Sequence, residues 1–318
     1  MIMNQEQYQW MVHVSCVTFN HASYIVDAMN GFTMQQTTFP FVCTIVDDAS
    51  TDDEPEVIRR YLRESFDLEN HAVVRNEETD DYVLCFAQHK ANKNCYFAVL
   101  WLKYNHYSIK KAKIPYIAEW HDNAKYFAAC EGDDYWIDPL KLQKQFDILE
   151  NDEGISFCHH NFYELRGNNK TLKKRNVPQR QDILSIANNN QTQTLTMFFR
   201  NIKPLIPEEL NGRIVYSQFW ALRLAEIGDI YYIDEPMAVY RRHEGGVFGK
   251  QKLSNKFVMI VTNLDNMIYW SNKNGRRSVV NILKKRGRKT AFSYFFAFIK
   301  RYDLKNAITA LKVLYKYC

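Results

Sequence analysis

Glu131, Asp133 and Asp134 fall within four residues of one another in "EGDDYWIDPLKLQKQ", beside Tyr135 and Trp136 and just ahead of a helical pattern. Carboxylates this close repel one another, and the apolar run before them adds a desolvation cost. A bound cation or a solvated turn would relieve both. Carboxylates are hard oxygen ligands suited to Mg2+ or Mn2+, and such ions take one or two from the protein while substrate phosphates fill other positions. A second acidic pair, Asp47 and Asp48, stands in "IVDDASTDD".

Alternation of short β-like runs with helical patterns over the first 160 residues predicts a parallel α/β sheet. Residues 11–17 and 41–46 read as strands buried on both faces. Between them Ile25, Ala28, Met29 and Phe32 recur at helical spacing, with Ser23 as the N-cap. Pro55 fits the first turn of the next helix, whose buried face is Val57, Ile58, Tyr61 and Leu62. Residues 71–75 read as a third strand. Residues 76–123 read as a long irregular region with one helical pattern, Tyr96, Phe97, Leu100 and Trp101. The fourth strand, 125–130, runs into the acidic cluster, and Asp138 and Pro139 launch a helix with Leu142, Phe146 and Leu149 inward. A fifth strand covers 155–160. Both acidic clusters thus fall at the carboxyl ends of strands, the edge where open α/β sheets bind ligands.

Beyond the fifth strand, residues 167–193 read as a polar, mobile excursion. "TLTMFF" reads as a strand, 219–227 as a helix and "IYYI" as a closing strand, with mostly helical sequence from about Lys250. No internal repeats occur. The 318 residues are 46% hydrophobic with few Gly and Pro, enough to bury one large core. Seven cysteines without a CxxC pair indicate neither a disulfide framework nor a zinc knuckle, and several of them fall inside apolar runs, which suits buried thiols in a reducing cytoplasm. Neither an export signal nor a run of about 20 apolar residues is present. The expectation is a protein neither exported nor membrane-spanning.

Taken together, four ordered stretches resemble the family 2 glycosyltransferases, whose nucleotide-binding domain has the GT-A fold. "VSCVTFNHASYI" is similar to that family's first strand and turn, "IVDDASTDD" to its VDDxSxD signature, "EGDDYWIDPLKLQKQ" to its DXD-type metal motif, and "GDIYYIDEPMAVYRRHEGGV" to its closing segment. The match spans about residues 12–248. The resemblance implies an α/β, Rossmann-like and mostly parallel sheet flanked by helices, with a catalytic domain over 1–248 and a basic, amphipathic helical extension over 249–318.

For activity, the resemblance implies a metal-dependent, inverting hexosyltransferase of bacterial surface-polysaccharide assembly. It would move a sugar from a nucleoside diphosphate donor, UDP-linked, to a hydroxyl of a glycan or lipid-linked glycan. Asp48 would contact base and ribose, since a carboxylate accepts hydrogen bonds from a ring N–H or a ribose hydroxyl, and Asp47 would support it. Thr18, Phe19 and Asn20 would line the nucleotide pocket, Phe19 as a stacking surface or as core. Asp133 would bridge the Mg2+ or Mn2+ to the diphosphate, with Glu131 and Asp134 beside it. Glu131 replaces the family's first Asp. His243 would sit near diphosphate and metal as a further ligand, and Arg241 and Arg242 could clamp phosphate.

One departure concerns the general base that must take the acceptor's proton. The family's Asp falls here at Ser217, with Tyr216 before it, and a hydroxyl alone is no base. Glu208 or Glu209 could be the base if the match is shifted; Asp122 or Glu164 could have taken the role; or the chain could bind a sugar nucleotide without turnover. A metal-dependent nucleotidyltransferase or phosphohydrolase would also use strand-end carboxylates.

Net charge is +5, yet residues 284–318 open with "KKRGRK" and interleave Lys and Arg with aromatic and aliphatic residues. Two readings stand: peripheral contact with the inner face of the cytoplasmic membrane, or a helical pair packed on the catalytic domain. Nucleic acid is not expected as a partner, because the overall charge is low and the acidic edge repels phosphate without a metal.

Overall fold

The computed structural model describes residues 8–210, 217–243, 246 and 251–318. In chain order the elements are β1 (Trp10–Thr18), α1 (Ile25–Thr33), β2 (Phe41–Asp47), α2 (Glu54–Ser65), β3 (Arg75–Glu78), β4 (Tyr82–Gln88) and β5 (Cys95–Leu102). They continue with α3 (Ile114–Asp122), β6 (Ala124–Ala129), β7 (Tyr135–Trp136), α4 (Lys141–Asn151), β8 (Ile155–Arg166) and β9 (Asn169–Lys173). The remainder comprises β10 (Arg180–Gln181), α5 (Ile183–Asn188), β11 (Phe198–Arg200), α6 (Ser217–Leu224), β12 (Asp229–Arg242), α7 (Leu253–Lys273), α8 (Arg277–Ile299) and α9 (Leu304–Lys316).

The chain divides into two compact units. The first, residues 1–176, 193–201 and 232–241, holds strands in the order β12-β8-β11-β6-β1-β2-β5-β4-β3. β6, β1, β2 and β5 pair in parallel, in that order. β4 and β3 extend one side antiparallel, and β11 joins β6 to β8 antiparallel on the other. β2 is buried at every position, as a strand covered on both faces must be. In register, Thr18 faces Asp47 and Asp47 faces Trp101, while Ser15 faces Ala129. The carboxyl ends of β1, β2, β5 and β6 therefore share one edge.

Five expectations change in this unit. The pattern Tyr96, Phe97, Leu100 and Trp101 belongs to β5, a strand, not a helix; a strand buried on both faces is apolar at nearly every position, so a helical subset can always be picked from it. Residues 76–123 are an antiparallel β3–β4–β5 meander followed by α3, not irregular chain. The third strand is Arg75–Glu78 rather than 71–75, and its exposed, charged residues mark an edge strand that carries no apolar signal. Ser23 does not cap α1; the entry turn is closed by Tyr24 and Ile25 N–H groups donating to His21 O. The helix after the acidic cluster starts at Lys141, and Asp138 instead accepts from the Leu140 N–H at 2.8 Å.

The second unit comprises residues 177–192, 202–231 and 242–318. Its core joins Ala187 of α5, Phe219 and Leu222 of α6, Leu264 and Met267 of α7, and Val279 and Leu283 of α8. β10 pairs with the start of β12 through Arg180 and Tyr231. The excursion expected over 167–193 is thus largely ordered: β9 forms a hairpin with β8 about Gly167, whose φ of +54° suits glycine, and α5 follows an Asp182 cap that accepts from Ser185 N–H at 2.8 Å. "TLTMFF" gives only the short β11 after a 3-10 turn over Thr194–Thr196. All seven cysteines are thiols without a disulfide.

Candidate active site at the carboxyl edge of the sheet

Three turns meet at the carboxyl edge of the first unit. The turn after β1 carries Phe19, Asn20 and His21, the turn after β2 carries Asp48 to Asp53, and the turn after β6 carries Glu131 to Asp134. Gly132 fits between strands so closely that a Cβ there would lie 2.1 Å from Thr18 Oγ1 and 2.6 Å from Thr18 Cβ. Its N–H donates to Val17 O at 3.2 Å, which pins the acidic turn against the end of β1. Only glycine permits that approach.

Asp133 is half-buried, with Oδ2 3.9 Å from His21 Nε2. The other face of His21 is fixed by Nδ1 against Thr18 Oγ1 at 3.2 Å. Glu131 is pushed up to about 7, first by burial and then by the neighbouring Asp133 charge. Asp134 is buried, and its carboxyl is raised by burial and by Asp133 and Glu131, although it accepts from the Arg241 backbone N–H at 2.8 Å. Arg241 also donates to Asp133 O at 3.0 Å and pairs with Asp27, its guanidinium lying over the rings of Tyr24 and Tyr135. Arg241 is therefore built into the acidic turn.

Asp47 is buried and raised to about 6, chiefly by burial, while hydrogen bonds from Ser50 oppose the shift. Asp48 is 2% exposed. Its carboxylate accepts from His106 N–H at 2.8 Å and Tyr107 N–H at 3.1 Å and pairs with Lys113 at 2.9 Å. Three of its acceptor positions are thus filled by the segment after β5. Phe19 is 40% exposed, so of its two expected settings the surface one is observed. Asn20 adopts φ of +57°, a conformation asparagine tolerates, and its Oδ1 accepts from Thr51 N–H at 2.7 Å.

Sequence reasoning overlooked Glu54, the first residue of α2 and fully buried. Its carboxylate accepts from Thr18 Oγ1, from His21 N–H at 2.9 Å and from Ser50 Oγ at 2.7 Å, which ties the first two turns together. His21 and Lys113 were also missed. The signal for Glu54 was its place directly before Pro55, where a carboxylate faces the open N–H groups of a helix start.

Of the carboxylates considered for the base, Asp122 ends α3 beside the amino end of β6, the opposite edge from Asp133. Glu164 lies on β8 beyond the carboxyl edge and pairs with Arg166 at 3.1 Å and Lys173 at 3.4 Å. The others belong to the second unit. Glu208 and Glu209 form a 3-10 turn, and Glu209 pairs with Lys273 at 2.7 Å, which lowers its carboxyl. Ser217 is the first residue of α6, Arg242 ends β12, and His243 O accepts from Gly246 N–H at 3.3 Å. Tyr216, Glu244 and Gly245 lie outside the described residues.

Donor chemistry at this edge fits a divalent cation. A carboxylate oxygen and an imidazole nitrogen each about 2.1 Å from one ion stand about 3–4 Å apart, and the His21–Asp133 separation falls in that range.

No family model matches the chain. Proteins of Mycobacterium bovis and Mycobacterium tuberculosis, themselves named as uncharacterized, are 27% identical over 235 residues, 73% of this chain. The chain spans 59% of the length of these curated relatives. Among solved structures, residues 1–349 of Staphylococcus aureus TarS in complex with UDP superpose with a TM-score of 0.56 at 15% identity, covering 96% of this chain and 81% of that one. The mannosyltransferase PcManGT from Pyrobaculum calidifontis, in complex with GDP-Man and Mn2+, gives 0.51 at 15% identity, covering 98% and 76%. With a central multi-stranded sheet flanked by helices, and with these neighbours, the chain has a GT-A-like α/β fold.

Proposed function

We propose that the chain is a metal-dependent glycosyltransferase that moves a sugar from a nucleoside diphosphate donor to a hydroxyl acceptor. The observation that carries this reading is His21 facing Asp133 at the carboxyl edge of β1, β2 and β6, in a GT-A-like fold. The neighbours TarS and PcManGT, bound to UDP and to GDP-Man with Mn2+, support it. Following TarS, the proposed donor is UDP-linked, and the proposed acceptor is a glycan or lipid-linked glycan of a bacterial surface polysaccharide, with inversion at the anomeric carbon.

In this proposal Asp133 and His21 hold the cation, and the imidazole favours Mn2+ over the harder Mg2+. When bound, the cation neutralises charge growing on the departing nucleoside diphosphate. Gly132 and Arg241 keep the acidic turn in place, and Phe19 offers its ring to the base. Because Glu209 is engaged by Lys273, Glu208 is the proposed general base of that pair. A second reading, donor binding without transfer, is favoured by Ser217 standing at the start of α6 where the resemblance calls for a carboxylate.

Thermal unfolding in the presence of UDP, GDP, CDP or dTDP, each with Mn2+ or with EDTA, tests the site. A ligand at a hundredfold excess over its Kd stabilises the native state by about 2.7 kcal/mol. A rise in Tm with one diphosphate that disappears in EDTA is the expected result; no rise with any would remove the proposal. Release of free UDP from a UDP-sugar in the presence of acceptor then separates transfer from binding alone.

A further inference from the structure

The solvent face of α8 changes character along its length. Lys285 and Lys289 occupy it first, and Phe292, Phe296 and Ile299 occupy the same face afterwards, Phe292 being 55% exposed. The turn that follows shows Lys300, Arg301 and Tyr302 to solvent, the tyrosine 92% exposed. On α9 the exposed apolar residues are Leu304, Ile308, Leu311 and Tyr315, spaced as one helical stripe, with Lys305 and Lys312 at its border.

None of these outward side chains is needed to fasten the hairpin. Its inner side is closed by Ala307 and Ala310 packed with Phe298 and Phe257, and by Gly287, where a Cβ would lie 2.4 Å from the Tyr317 ring. Arg288 donates to Tyr317 O at 2.7 Å, and Tyr317 and Lys316 both reach Asp265 of α7. A large apolar stripe left outside a completed helical packing marks an interaction surface.

Charge selects the occupant. Residues 284–318 contain ten Lys and Arg against one acid, Asp303. Asp303 caps α9 by accepting from the Asn306 N–H at 3.2 Å. A second copy of the chain would cover the stripe but would set these like charges against one another. A nucleic acid would answer the charge and leave Phe296, Leu304 and Ile308 against water. A bilayer rich in anionic lipid answers both, taking the apolar stripe into the interface while the lysines extend to headgroups. No described helix is long and apolar enough to cross a membrane, so the hairpin would lie along the surface.

We propose that the outward face of the α8–α9 hairpin docks on an anionic lipid surface. The surface rests on its own residues and does not depend on the transferase reading. The test is flotation of the full chain with vesicles of phosphatidylcholine alone, or of phosphatidylcholine containing phosphatidylglycerol. The expected result is about tenfold or more enrichment on the anionic vesicles, reduced by salt. The variant Leu304→Ser/Ile308→Ser/Leu311→Ser should lose that enrichment, and Lys300→Gln/Lys305→Gln/Lys312→Gln should weaken it, both with an unchanged Tm. Equal binding to the two vesicle types, binding unaffected by the serine variant, or a concentration-dependent dimer that the serine variant dissolves would each overturn the proposal.

Discussion

His21 Nε2 stands 3.9 Å from Asp133 Oδ2, and the far side of the same imidazole contacts Thr18 Oγ1. A histidine held at one nitrogen and aimed by the other at a half-buried carboxylate is the arrangement of an oriented metal ligand. Asp133→Asn keeps the shape and removes the charge, so it should abolish the Mn2+-dependent part of any Tm rise with a nucleoside diphosphate. His21→Ala removes a proposed ligand and should weaken Mn2+ affinity by at least the ~10-fold that loss of an outer-shell partner costs. Isothermal titration with Mn2+ and diphosphate measures both, and undiminished affinity in Asp133→Asn would remove Asp133 from the site.

Gly132→Ala tests how the acidic turn is positioned. The added methyl would fall 2.1 Å from Thr18 Oγ1, and Thr18 cannot swing aside while it donates to Glu54 and touches His21. Overpacking of this kind costs about 1–3 kcal/mol. Urea unfolding should show a loss toward the upper end of that range. Adding Thr18→Ala should recover part of the loss, giving a non-additive double-mutant cycle.

Legibility of the chain from sequence followed burial. β1, β2, β6 and the first half of β8 are apolar because both faces are covered, and each was expected within a residue or two. β5 is equally apolar, yet its aromatic residues supplied a false helical period. β3 and β9 are edge strands with polar residues, so nothing in their composition separates them from loops. The acidic clusters were legible because charge at a strand end is costly. The residues that meet them were not: His21 and Lys113, which face Asp133 and Asp48, come from other turns, and Glu54, which holds Thr18, His21 and Ser50, opens α2; they are brought in only by the register of β1 with β2 and by the chain after β5.

Glu54 links the first two turns, so its loss should loosen the nucleotide edge as well as the fold. Glu54→Ala would leave the Thr18 hydroxyl, the His21 N–H and the Ser50 hydroxyl without their acceptor. An unsatisfied buried donor costs about 1–3 kcal/mol, and of the three only the Thr18 hydroxyl is fully buried, so a loss of about 1–3 kcal/mol is expected in urea unfolding. Glu54→Gln retains one acceptor oxygen and should lose less. If both variants unfold like the unaltered chain, Glu54 does not hold the turns.

Lys141 supplies a pH signature that no site residue shares. It is fully buried, with Nζ 2.7 Å from Gln145 Oε1 and 4.0 Å from the centre of the Trp136 ring, and burial lowers it to about 7. In the unfolded chain a lysine titrates near 10.4. Between about 7 and 10.4 the unfolded state therefore binds more protons than the native state, and stability from this group rises with pH across that window. Below about 7 both states carry the charge, and the native state bears the full cost of burying it. Lys141→Met removes the charge but leaves Gln145 Oε1 without its donor, a penalty of about 1–3 kcal/mol that does not vary with pH. The difference in unfolding free energy, variant minus unaltered chain, should thus shift in favour of the variant as pH falls from 9.5 to 6.5 (~3 units). Urea unfolding at those two pH values measures it, and a difference that stays constant would mean that Lys141 keeps an ordinary ammonium in the native state.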